Sequence, residues 1–186
     1  EGVRILLSDA NQPMELALDE IQFTSSLTEN QKVEQFSRFL PSGVLAESAV
    51  TSVTISVEPR FYSLLPVELY SDEAAENCLR LLSDIEFEFT VYHEKTGNDT
   101  VLFYAVPNEW KNWASQLFSA SEVHWTCGIS GLIHEALSMT PSGEKAVYAH
   151  VDTRSFLGIG VEDGKLIFAN YYPFKAENDL LYFLLL

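Results

Sequence analysis

The chain has 186 residues, enough for one large domain or two small ones with a buried core. Hydrophobic residues make up 47%, with twelve Phe and eight Tyr, which argues against a disordered tail. Eleven basic residues against 27 acidic ones leave a net charge of −16, and no stretch gathers Lys or Arg, so nucleic acid and anionic membrane surfaces are poor partners.

The N-terminal segment reads as three short strands, Val3–Ser8, Met14–Asp19 and Ile21–Leu27, with Asn11-Gln12-Pro13 supplying the first turn. Thr28 and Gln31 have the spacing of a capping box, and Val33, Phe36, Phe39 and Leu40 follow at helical spacing until Pro41. Val53–Val57 alternates as a strand. A second helix starts at Ser71, with Asp72 and Glu73 against the positive end of its dipole and Ala75, Cys78, Leu79 and Leu82 on its apolar stripe. Phe87, Phe89 and Val91 alternate with polar residues, so a strand with one wet face is expected there, carrying Glu86, Glu88 and Glu94 in solvent. Thr100–Val106 returns from the Lys95–Asn98 turn. A third helix runs from Asn108 with Trp110, Trp113, Ala114, Leu117 and Phe118 as core, followed by a strand Val123–Cys127 and a short helix Gly131–Leu137. Pro141-Ser142-Gly143 is the best domain boundary, dividing 1–143 from 144–186.

Past that boundary Lys145–Asp152, Ser155–Glu162 and Lys165–Tyr171 form a three-strand meander, with Asp163-Gly164 as a type I′ hairpin turn. Gly158 and Gly160 inside its second strand suggest close backbone packing or a bulge. A helix begins near Ala176, and its run Leu180–Leu186 is apolar on all sides. The order of a meander leading into a helix thus occurs at both ends of the chain. Glu1 at the start and an apolar run at the end predict that the chain continues beyond both.

Two such units resemble the duplicated domains of the actin, sugar kinase and Hsp70 superfamily. Phe61-Tyr62-Ser63-Leu64-Leu65-Pro66, Phe103-Tyr104-Ala105-Val106-Pro107, Gly164–Asn170 and Asp179-Leu180-Leu181-Tyr182 are similar to an uncharacterised Bacteroidota family placed in that superfamily. More distantly, the chain resembles cytoplasmic actin-like platform proteins of pilus and type II secretion assembly. The resemblance implies an α/β, actin-like (ribonuclease H-like) fold of duplicated domains with three-strand antiparallel meanders in mixed sheets, the second incomplete. It also implies a scaffold role with a protein partner.

Actin-like ATPases hold phosphate on two hairpins, each typically carrying Asp-x-Gly, where Gly lets backbone amides approach the phosphate. The matching stretches here are Asp9-Ala10-Asn11 and Asp152-Thr153-Arg154. Asp9, Asp152 and Thr153 are therefore candidate remnants of a phosphate site, but both stretches lack the Gly, and turn formation alone explains both aspartates. No Walker-type Gly-Lys-Ser/Thr loop occurs. His124 and Cys127 face opposite sides of a strand, and the apolar setting of Cys127 should raise its pKa. His134-Glu135 lacks the second His of a zinc-protease motif, since position 138 is Ser, and the four His show no metal-ligand spacing.

Cys78 and Cys127 form no Cys-x-x-Cys pair and read as two reduced, buried thiols of a cytoplasmic protein. Val3–Leu7 is too short for a signal-peptide core, and no apolar run approaches the ~20 residues that span a bilayer. The leading reading is a non-catalytic interaction module without cofactor or metal, with a homodimer formed through 145–186. The alternative is a divergent nucleotide-binding switch or ATPase, and a hydrolase of unknown mechanism is third.

Overall fold

The fold is seen in a computed structural model that describes residues 2–9, 12–24, 26–40, 51–82, 84–97, 99–152, 155–176, 178–179 and 182, the backbone alone for 2–9 and 12–20. It is mixed α/β. Strands β1 (Gly2–Asp9) and β2 (Gln12–Gln22) form an antiparallel hairpin, followed by α1 (Glu29–Phe39). Then come β3 (Ser52–Val57), β4 (Tyr62–Pro66), a 3-10 turn at Val67–Leu69 and α2 (Asp72–Leu82). Next are β5 (Phe89–Thr96), β6 (Thr100–Pro107), α3 (Asn108–Leu117), β7 (Glu122–Cys127) and α4 (Gly128–Met139). Strands β8 (Lys145–Val151), β9 (Ser155–Glu162) and β10 (Lys165–Pro173) follow. The sheets have the orders β1-β2, β3-β7, β4-β6-β5 and β10-β9-β8.

The described residues fall into two compact units, one of residues 1–54, 87–90 and 107–124, the other of 55–86, 91–106 and 125–186. In the first, α1 begins with the predicted capping box: Gln31 N–H donates to Thr28 Oγ1, and Thr28 N–H donates to Gln31 Oε1 at 2.9 Å. Phe36 is 4% exposed, and its ring lies 5.8 Å from Trp110 and 5.2 Å from Trp113 of α3. Glu29 ties the two helices further, accepting Trp110 Nε1–H at 2.8 Å and Lys32 Nζ at 2.7 Å. These rings, with Phe23 and Phe118 beside Trp110 and Trp113, form the core of this unit. Leu117, expected in the same stripe, is instead exposed.

In the second unit β6 and β9 are the buried centres of two three-stranded antiparallel sheets. Ala75 and Leu79 bury one face of α2, which packs on β4, while Leu82 of the predicted stripe points to solvent. Ile129, Ile133 and Ala136 of α4 are buried, and the helix packs on β9 and β10. The turn between β9 and β10 is the predicted one, with φ of 51° at Asp163 and 70° at Gly164. Gly160 is required by packing: a Cβ there would collide with the ring of Phe168 on β10, beside the register shift between Leu166 and Phe168.

The structure corrects the N-terminal reading. The expected separate strands Met14–Asp19 and Ile21–Leu27 are one strand, β2, which pairs with β1 from Gln12 through Gln22. Asp19 has neither Gly nor Pro beside it to complete a turn, and pairing with β1 carries the ladder through Asp19-Glu20, while Leu27 lies in a turn with its N–H on Thr24 O at 3.2 Å. Among the described residues the three-strand meander therefore occurs once, at 145–173. The helix expected at Gly131–Leu137 starts three residues earlier, at Gly128, directly off β7. Tyr62–Pro66 of the Phe61–Pro66 motif forms β4, a strand that the sequence reading does not assign. The apolar helix expected at Leu180–Leu186 lies almost wholly outside the described residues.

Candidate functional site

The two hairpin bends come first, because the fold would place phosphate there. Asp9 ends β1 opposite Gln12, after register shifts on both sides of Ser8. Asp152 follows β8, is exposed, and its N–H donates to Ser155 O at 2.9 Å across the bend. Thr153, Arg154 and Asn11 lie outside the described residues, and Asp9 and Asp152 belong to different units.

The densest polar cluster of the second unit is elsewhere, at the junction of β7 and α4. Thr126-Cys127-Gly128-Ile129-Ser130 passes from strand to helix with Cys127 as N-cap, so the positive end of a twelve-residue helix needs a partner. Glu94 of β5 supplies it. One carboxylate oxygen accepts Cys127 N–H at 2.6 Å and Tyr104 Oη–H at 3.3 Å. The other accepts Ser130 Oγ–H at 2.6 Å and Thr126 Oγ1–H at 3.2 Å. Tyr92 lies over this group, its ring 6.2 Å from Tyr104 and 5.4 Å from Trp125.

This corrects the expectation that Glu94 lines a solvated face. Glu94 is half-buried and Thr96, on the same face of β5, is fully buried, because the strand is covered on the side that carries its even-numbered polar residues. Burial, reinforced by the Glu94 charge and its hydrogen bond, pushes the Tyr104 phenol well above the usual tyrosine range. The missed signal was a helix starting off a strand without Ser, Thr, Asp or Asn at its cap, which calls for an acceptor from another element.

Cys127 and Ser130, the nucleophiles of the cluster, are buried. Burial pushes the Cys127 thiol up to about 11, against the Ile129 and Ser130 N–H groups, which lower it. Both cysteines are free thiols, Cys127 buried and Cys78 half-buried. Ser130 is 3% exposed and also within 2.9 Å of Cys127 O, so its hydroxyl serves the helix start. His124 is exposed, 3.4 Å from Glu122. Among the described residues no three His, Cys, Asp or Glu side chains cluster as metal ligands, and no helix is long and apolar enough to cross a membrane.

A second polar feature lies at the β10 edge. Tyr62 of β4 donates its hydroxyl to Ala169 O at 3.2 Å and accepts Tyr171 N–H, while Tyr171 donates its own hydroxyl to Glu58 at 2.7 Å. Burial pushes Tyr62 up to about 12.

A family model described as "Protein of unknown function (DUF3822)" matches residues 1–186. The chain belongs to that family. No curated protein matches it. Among solved structures, this DUF3822 chain is similar to a protein of Bacteroides thetaiotaomicron described as having an "actin-like ATPase fold and unknown function". That match has a TM-score of 0.72 at 20% identity, covering 94% of this chain and 66% of that one. It is also similar to a structure described as a "PilM-PilN type IV pilus biogenesis complex", with a TM-score of 0.55 at 14% identity, covering 95% of this chain and 60% of that one. The fold is therefore actin-like, and the chain spans less than two thirds of the length of either neighbour.

Proposed function

We propose that this DUF3822 protein is a cytoplasmic, non-catalytic interaction module that uses an actin-like fold as a scaffold for a protein partner. The observation that carries the reading is the Asp152 bend. An ATP site needs backbone N–H groups turned toward the phosphate, whereas the Asp152 N–H is spent on Ser155 O. The α4 N-terminus favours it as well, since a phosphate there would meet the Glu94 carboxylate. A neighbour described as a PilM-PilN complex supports protein partnering by analogy of fold. On this reading 1–143 and 144–186 belong to successive actin-like domains, and Asp9, Asp152 and Thr153 are remnants of a phosphate site. Residues 145–186 form a homodimer contact, for which the exposed Val147, Val151 and Ile167 of the β8–β10 sheet speak.

Calorimetry with Mg-ATP on the full-length protein tests the proposal, with Asp152→Ala as control. The expected result is no binding and no hydrolysis near physiological ATP concentration. Saturable binding that disappears in Asp152→Ala overturns the scaffold reading and promotes the divergent ATPase.

A further inference from the structure

Strands β4 and β10 are both edges of their sheets, in orders β4-β6-β5 and β10-β9-β8, and both lie in the second unit. A cleft of about 260 Å³ separates residues 62–64 of β4 from 167–170 of β10. The hydrogen bonds fix which backbone groups face it. Phe61 O accepts Ala105 N–H at 3.0 Å and Val67 N–H donates to Asp99 O at 2.9 Å, so the odd-numbered residues of β4 turn toward β6. Tyr62 and Leu64 then turn their N–H and C=O groups away from β6, onto the open edge of β4 whose residues line the cleft. On the other side the Ala169 carbonyl and the Tyr171 N–H point outward from β9, and the Tyr62 hydroxyl engages both. A carbonyl and an N–H two residues apart on one edge are the pair that a neighbouring strand engages. One phenol oxygen thus stands in for a strand.

We propose that this cleft is a strand-addition site, in which an extended, basic segment of a partner protein inserts between β4 and β10 and displaces the Tyr62 hydroxyl. The inference rests on the scaffold reading and names the kind of partner the scaffold holds. Natural proteins protect open edges against unwanted pairing, and a side chain docked on the edge does so reversibly. Affinity in this mode comes from main-chain hydrogen bonds on both sides of the inserted segment. Basic character follows from charge: the net charge is −16, the cleft's lining is uncharged, and Glu58 stands beside it on Tyr171.

The probe is a synthetic peptide of alternating valine and threonine with lysine at both ends, titrated into the full-length protein and followed by amide NMR shifts. The expected result is saturable binding with shifts at Tyr62, Leu64 and Tyr171. Tyr62→Phe removes the competing hydroxyl and tightens binding about threefold to tenfold. Leu64→Pro deletes an outward N–H that the β4–β6 ladder does not use, and abolishes binding while the circular dichroism of the fold is retained. Alternate N-methylation of the peptide abolishes binding without touching the protein. Absence of binding to both wild type and Tyr62→Phe overturns the inference, as does binding indifferent to N-methylation. Shifts at the same amides that grow with protein concentration alone make a second copy the occupant and overturn the assignment to a partner. Each of these failures leaves the scaffold reading intact, since that reading falls on Mg-ATP binding instead.

Discussion

Replacing Glu94 tests whether the β7–α4 junction is held by a single carboxylate. Its two oxygens accept four hydrogen bonds, two of them at 2.6 Å, from Cys127 N–H and Ser130 Oγ–H. Bonds to a charged acceptor contribute about 1.5–3 kcal/mol each, but four bonds to one group are not additive, and the two long ones at 3.2 and 3.3 Å add little. An anion at a helix N-terminus contributes roughly 0.3–2 kcal/mol more. Glu94→Ala leaves the Cys127 N–H without its acceptor and should cost about 3 kcal/mol. For a chain of this length that lowers Tm by roughly 6–12 °C. Glu94→Gln keeps one acceptor oxygen, which can still take the Cys127 N–H, while its amide can donate to the hydroxyls of Thr126 and Ser130; a loss of about 1.5 kcal/mol is expected. Urea unfolding of the three proteins, with unchanged m-values, measures the series. A cost below about 1 kcal/mol for Glu94→Ala, or equal costs for the two variants, refutes the assignment of the carboxylate as the anchor of α4.

The thiols should differ in reactivity at about pH 8: Cys78 reacts with a disulfide reagent in the folded protein, whereas Cys127, buried and pushed up to about 11, reacts only as the protein unfolds. Two equally fast thiols would contradict this. Tyr62 and Tyr70 are raised from 10.0 to about 12, first by burial, so the folded state keeps protons that the unfolded state releases. Their contribution to stability is complete below pH 10 and is lost between about pH 10 and 12; a urea midpoint that stays level across that window would sink the reasoning. Val147→Lys and Ile167→Lys place charge on the exposed apolar residues of the β8–β10 sheet. Light scattering should show a dimer for the wild type and a monomer for both variants, and a wild-type monomer rejects the homodimer.

Legibility in the sequence followed the range of the interaction. The capping box of α1, the Asp163-Gly164 turn and the aromatic stripe of α3 are local patterns, and each appears as read. The run of β2 through Asp19-Glu20 was missed because its stability lies in pairing with β1, which local propensity does not report. Glu94 was misplaced for the same reason at longer range. Alternation in β5 assigned it to solvent, yet its partners Thr126, Cys127 and Ser130 stand 32, 33 and 36 residues away. Tyr62 stands within an apolar motif that gives no sign of a polar role, and its partner Ala169 is 107 residues distant. The actin-like fold was accessible through the resemblance of short motifs and the C-terminal meander, although the repeat of that meander at the N-terminus is absent from the described residues.

Glu94 and Tyr62 satisfy backbone groups from a distance in the same manner, and their strengths differ in a way that bears on partner binding. At α4 a carboxylate with four acceptor bonds meets the positive end of a helix, and removing it leaves the Cys127 N–H and three hydroxyls without their acceptor. At β10 a neutral hydroxyl makes one bond of 3.2 Å to Ala169 and receives one from Tyr171. A neutral hydrogen bond contributes about 1 kcal/mol net, and an inserted strand returns that bond and adds others along both edges. A partner therefore has little to overcome at the β4–β10 cleft and much to overcome at the α4 terminus. An anionic ligand faces the opposite balance to a peptide: the helix end that would attract it is already neutralised, and the open edge offers it only scattered amides. The same two contacts thus favour recognition of an extended chain over recognition of a phosphate.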